Sequence, residues 1–194
     1  MPSRIARSSI RVFAALVVVL AAAGSARAQN VVVNPGFETG TFAPWIIDGT
    51  NNAPVIDTMN PHTGTFSALA GNLVGPPEPL GDSSFYQTVV VPAAATVPHL
   101  TYWRKNDTTD TITFDWQDVY VLNNTGGLLA TVQHLCETTP YTMVDFNMTP
   151  YAGQTVRIKF LVHQDGFGDN TSMRVDDVSV APTVPVELQT FSVN

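Results

Sequence analysis

From residue 30 onward, no stretch of this chain repeats its apolar residues at helical spacing. Short runs rich in Val and Thr alternate apolar with polar residues, and Gly, Pro or Asn breaks them roughly every ten residues. Alternation with period two marks half-buried strands, whereas a helix needs a 3.6-residue period. Short strands at this spacing fold as a sandwich or a barrel. Long connections between them favour a two-sheet antiparallel jelly roll, an all-β fold with little helix.

Candidate strands cover residues 30–33, 45–48, 55–57, 67–70, 85–91, 99–105, 111–122, 128–135, 142–146, 156–163 and 173–180. Residues 74–82 read as a Pro/Gly loop, 123–127 as a turn, and 181–186 as a linker or extended tail. In 111–122 the parity changes: Phe114 and Trp116 share one face, Val119 and Val121 the other. A β-bulge inside that strand would reconcile the two halves.

Residues 1–28 follow a different plan. Arg4, Arg7 and Arg11 precede an apolar run over 12–24, and Ala26 and Ala28 stand at the small positions of an A-x-A site. This is the layout of a cleaved secretory signal peptide, and it points to a bacterial exporter. The run is shorter than the ~20 residues of a spanning helix, so no membrane span is expected. The division expected is 1–28 signal peptide, 29–182 jelly-roll domain, and 183–194 a tail or the start of a truncated segment. The product is expected to be secreted or extracytoplasmic.

The whole chain carries 9 Lys and Arg against 16 Asp and Glu, a net charge of −7. Cleavage after Ala28 removes four arginines and no acid, leaving 166 residues with a net charge of −11. That balance excludes a nucleic-acid binder, which needs a basic footprint. The lone cysteine, Cys136, excludes an intrachain disulfide and a Cys-rich zinc site.

Motifs then appear in a telling order. Asn34-Pro35-Gly36-Phe37-Glu38 is followed by Phe42-Ala43-Pro44-Trp45, His62-Thr63-Gly64 and Ser67-Ala68. Tyr86-Gln87-Thr88-Val89, the run WQDVYV over 116–121, Tyr151-Ala152-Gly153-Gln154 and Val175-Asp176-Asp177-Val178 come after. In this order they resemble galactose-binding-like jelly rolls, which include secreted bacterial carbohydrate-binding modules and MAM-like domains. The resemblance spans roughly residues 30–181. It implies a binding module, often with one structural calcium ion held by the Glu of the first motif and an Asp of the last. Here those are Glu38 and Asp176 or Asp177.

The residues make a separate case for that ion. Side chains alternate along a strand, so Asp176 and Asp177 cannot both face solvent without a bulge. A carboxylate turned inward needs a cation or several donors. Either calcium fills that need, or one Asp caps loop amides while the other is solvated. A second acidic run, 165–170, lacks the spacing of an EF-hand loop and reads as a solvated turn.

Sugar recognition uses flat aromatic faces beside polar groups. Trp45 is expected in the core. On 99–105, Trp103 and Lys105 oppose Leu100 and Tyr102; on 156–163, Arg157, Lys159 and His163 oppose Val156, Ile158, Phe160 and Val162. If both strands lie in one sheet, Trp103, Lys105, Arg157, Lys159 and His163 line one groove. Tyr120 is a further candidate. Alternatively, the cations offset the acidic charge and guard a sheet edge.

No H-E-x-x-H and no G-x-S-x-G motif is present, so no enzyme activity is expected. The reading is an exported, non-catalytic module binding a polysaccharide or glycan, with a structural calcium ion. The alternative is a module that binds other extracellular proteins and has no sugar site.

Overall fold

The computed structural model describes residues 29–50, 52–74, 77–94 and 97–182. The signal-peptide and tail segments expected from the sequence lie outside these residues. Ten strands form two five-stranded antiparallel sheets, as the alternation requires. In chain order they are β1 (Ile46–Ile47), β2 (Val55–Asp57), β3 (Ser67–Gly71), β4 (Gly81–Val90) and β5 (Pro98–Thr108). Then come β6 (Trp116–Asn123), β7 (Leu128–Leu135), β8 (Thr142–Asn147), β9 (Thr155–Gln164) and β10 (Thr171–Pro182). The first sheet runs β1-β4-β9-β6-β7 and the second β2-β3-β10-β5-β8.

The core lies between the sheets and is aromatic at its centre. Phe37, Trp45, Phe85 and Phe160 pack edge to face or tilted, with Phe85 and Phe160 stacked, and with centroids 5.3 to 6.0 Å apart. Tyr102 from the second sheet closes on Phe160 at 5.1 Å, which joins the layers. Trp45 is in the core as expected, its Nε1 donating to the Asn34 carbonyl at 3.1 Å.

Three expectations change. Residues 30–33 form no strand; Val31 donates one backbone bond to Val180, and the Asn30 side chain caps the same strand. Residues 111–115 are turn, not strand, and β6 begins at Trp116. The parity change there has a simple cause: Trp116 faces outward with Tyr120, and Val119 and Val121 face inward. The register shifts fall where β6 pairs with β7, and the extra residues belong to β7.

Of the adjacent aspartates, Asp176 is turned inward and fully buried, and the strand bulges just after it. The β10–β5 register slips between Asp176 and Ser179, and Asp177 takes a left-handed backbone with φ 49°.

Candidate functional site

The expected single groove requires β5 and β9 to share a sheet, and they do not. Trp103 and Lys105 lie on the outer face of the second sheet. Arg157, Lys159, His163 and Tyr120 lie on the outer face of the first, across the full thickness of the sandwich. Most successive strands of the jelly roll change layer, so parity locates the outward side chains but not the layer that carries them.

On the second sheet, the loop after β2 lies across the face. His62 stacks on Trp103 with centroids 3.9 Å apart and planes within 16°. The His62 amide donates to Asp176 Oδ2 at 2.8 Å, and its Nδ1 pairs with Asp177 Oδ2 at 2.7 Å. Tyr141 donates its hydroxyl to the Asn60 carbonyl at 2.6 Å. One ring face of Trp103 is thereby covered.

The three acids expected to hold calcium meet this same loop. An added Cβ at Gly36 would lie 3.3 Å from Asp176 Oδ1, 3.5 Å from Asp177 Oδ1 and 3.7 Å from Glu38 Cγ. Glu38 accepts the amides of Thr65 and Phe66 at 3.0 Å each. Asp176 also accepts from the amides of Thr63 and Asp177, and Asp177 from the Thr63 hydroxyl. Each of the six carboxylate oxygens therefore accepts a hydrogen bond. Burial, with Asp177 alongside, still pushes Asp176 up to about 6.

Acids close enough to share an ion occur elsewhere. Among the described residues, carboxylate oxygens come within 4.8 Å of one another in two trios, Glu78–Asp165–Asp169 and Asp110–Asp115–Asp169. The turn read as solvated thus supplies two of these acids.

The outer face of the first sheet is the richer surface. Antiparallel pairing sets its rows. Asp82, His163 and Trp116 stand side by side; Ser84, Leu161 and Asp118 form the next row, and Tyr86, Lys159 and Tyr120 the one after. His163 stacks on Trp116 at 3.9 Å and 10°. The Tyr120 hydroxyl donates to Asp118, which is fully buried and also lies 2.7 Å from His134 Nδ1. Burial, and that hydrogen bond after it, hold the Tyr120 hydroxyl well above the ordinary tyrosine range, so it stays a donor. Lys159 Nζ is 2.9 Å from Asp48, and the Arg157 guanidinium sits 4.8 Å from the Tyr86 ring centre. A shallow cavity of about 320 Å³ is lined by Tyr120, Leu122, Leu128, Thr131, Lys159 and Leu161.

Against this geometry, no family model matches the chain and no curated protein matches it. Solved structures match in architecture. The carbohydrate-binding module TmCBM61, solved in complex with β-1,4-galactotriose, has a TM-score of 0.59 at 19% identity over 80% of this chain and 99% of that one. The K3 cleaved adhesin domain of Lys-gingipain from Porphyromonas gingivalis has a TM-score of 0.55 at 14% identity over 78% and 99%. The enzymatically active domain of bacteriophage CBA120 tailspike protein 4 has 0.54 at 16% over 79% of this chain and 21% of that one. The fold is shared with carbohydrate-binding β-sandwiches. At these identities the likeness is one of fold, and fold alone assigns no ligand.

Trp116 was missed by the sequence reading, although its parity with Tyr120 carried the signal. Cys136 is a half-buried thiol beside Thr108, and burial pushes its pKa up, which suits an unreactive side chain. Among the described residues, no helix is long and apolar enough to cross a membrane.

Proposed function

We propose that this chain is an exported, non-catalytic carbohydrate-binding module whose ligand lies across the outer face of the first sheet. One observation carries the reading: Trp116, Tyr120 and Tyr86 stand on one sheet face, with His163, Lys159 and Arg157 set among them. His163 covers one face of Trp116 and Arg157 one face of Tyr86, which leaves the opposite faces and the Tyr120 ring for the C–H face of a sugar. Lys159, His163 and the neutral Tyr120 hydroxyl offer polar groups to its hydroxyls, beside the shallow cavity of about 320 Å³. Of the residues expected from sequence, Tyr120, Arg157, Lys159 and His163 belong to this surface, and Trp103 and Lys105 to the opposite one.

A structural calcium ion at Glu38, Asp176 and Asp177 belongs to the same proposal. The three acids surround Gly36, and Asp176 is buried beside a like charge. Calcium would add its own charge to a cluster that loop amides, the His62 ring and the Thr63 hydroxyl already satisfy, so its effect is on stability. Loss of the ion would lower the melting temperature and leave the sugar surface in place.

Affinity electrophoresis on a glycan panel that includes β-1,4-galactan tests the ligand. Trp116→Ala and Tyr120→Ala are expected to weaken retardation about tenfold, and Trp103→Ala to leave it unchanged. Loss of binding in Trp103→Ala alone would move the site to the second sheet. No retention on any glycan would favour an extracellular protein as the partner.

A further inference from the structure

We propose that the loops at one end of the sandwich form a divalent-cation site of calcium character, built by Glu78, Asp110, Asp115, Asp165 and Asp169 and separate from the Glu38–Asp176–Asp177 cluster. The fold brings these acids together from three connections: before β4, between β5 and β6, and between β9 and β10. Two trios of carboxylates, each with oxygens within 4.8 Å of one another, share Asp169.

Acids gathered at a surface are ordinary, but two further facts distinguish these. Asp115 is fully buried, and while its Oδ1 accepts the Asp165 amide at 2.9 Å, its Oδ2 has no hydrogen-bond partner. Asp169 Oδ1 is likewise buried without a partner. No ion pair among the described residues involves any of the five acids. A buried carboxylate oxygen left unpaired is costly and calls for a donor or a cation. The Glu38 cluster differs in this respect, since all of its oxygens are partnered.

The electrostatics agree. Burial, followed by the Asp115 carboxyl and then the charge of Asp169, pushes Glu78 up to about 7. Asp110 is also raised, by burial and by Asp169, Asp115 and Asp165. A divalent ion would offset the cost of burying these carboxylates and the repulsion among them. The donors are all hard oxygens, and calcium takes six to eight of them in flexible geometry, whereas magnesium demands a tighter octahedron. A cavity of about 270 Å³, lined by Asp110, Phe114, Asp165, Phe167 and Asp169, gives an ion access from solvent. The role that follows is to tie three loops together at that end of the sandwich.

Calorimetric titration of the EGTA-stripped protein with CaCl2 at neutral pH tests the site. A dissociation constant between about 10⁻⁵ and 10⁻³ M is expected. In Asp169→Asn this binding should weaken about tenfold or more, and in Asp176→Asn it should persist. Asp169 is partly exposed, so this variant is chosen ahead of Asp115→Asn, and Glu78→Gln serves as its replacement if circular dichroism shows it unfolded. No heat in wild type up to about 10 mM CaCl2 would overturn the proposal. Binding lost only in Asp176→Asn would overturn it equally. Glycan retardation of Asp169→Asn reads the sugar surface separately, because that surface shares none of these residues.

Discussion

His163 lies flat against Trp116, with ring centroids 3.9 Å apart and planes within 10°, while its Nδ1 sits 2.7 Å from Asp82. The two residues face each other directly across β9 and β6, so the backbone register itself brings the rings together. Asp82 on the neighbouring strand then holds the imidazole in place. His163 is in this sense a positioning residue for Trp116. His163→Ala is expected to weaken glycan retardation several-fold while the melting temperature changes little. His163→Gln, which keeps a hydrogen bond to Asp82 but loses the aromatic stack, should not restore it.

A second prediction concerns the buried pair Arg174–Asp57, which links β10 to β2 across the second sheet. Both side chains are nearly excluded from water. Removing one partner leaves a buried charge unpaired, which costs about 3–5 kcal/mol. Asp57→Asn should therefore lower the urea midpoint sharply. The double variant Asp57→Leu/Arg174→Met should recover most of that loss, because desolvation of the pair offsets much of its Coulombic gain.

Gly71, at the end of β3, is expected to tolerate no side chain. Its φ is 77°, and an added Cβ would lie 2.1 Å from the Thr171 carbonyl oxygen and 2.9 Å from Val162. Gly71→Ala combines left-handed strain with a backbone clash and should cost more than about 1 kcal/mol in denaturant unfolding. Gly153→Ala, also at positive φ but with open space around its Cβ, should cost less.

Alkaline stability should report on Tyr141. Burial pushes its hydroxyl up to about 12, and Asp176 adds to the rise, against an unfolded value of about 10. The unfolded chain therefore releases this proton first. The stabilising contribution is complete below about pH 10 and is lost as pH rises through about 12. In Tyr141→Phe this part of the alkaline decline in melting temperature should disappear. An identical slope in variant and wild type would place the decline elsewhere.

Local chemistry made much of the fold legible. The stretch 55–57 is β2 with no change of boundary, because polar turns flank it on both sides. The adjacent aspartates showed that one of them turns inward unless the strand bulges; the structure has both, a buried Asp176 and a bulge after it. Residues 111–115 were less legible: Phe114 looks like a strand residue but sits exposed in a turn, anchored by backbone bonds from Phe114 and Asp115 to the Thr111 carbonyl. Trp116 is legible by parity as an outward tryptophan beside inward valines, and β6 holds no extra residue between them.

The sequence by itself determined the period-two alternation, and with it the strands, the inward core residues and the outward polar ones. It also determined the chain's acidic balance. Only the tertiary structure decided which outward residues are neighbours. It put β5 and β9 in different sheets, laid His62 over Trp103, and placed Trp116 beside His163. The physical reason is range: alternation is local to one strand, whereas β10 pairs with β5 across about seventy residues of chain, and no local pattern encodes that choice. The same holds for the acids of the three loops, which are far apart in the chain and come within 4.8 Å of one another only where the strands end together.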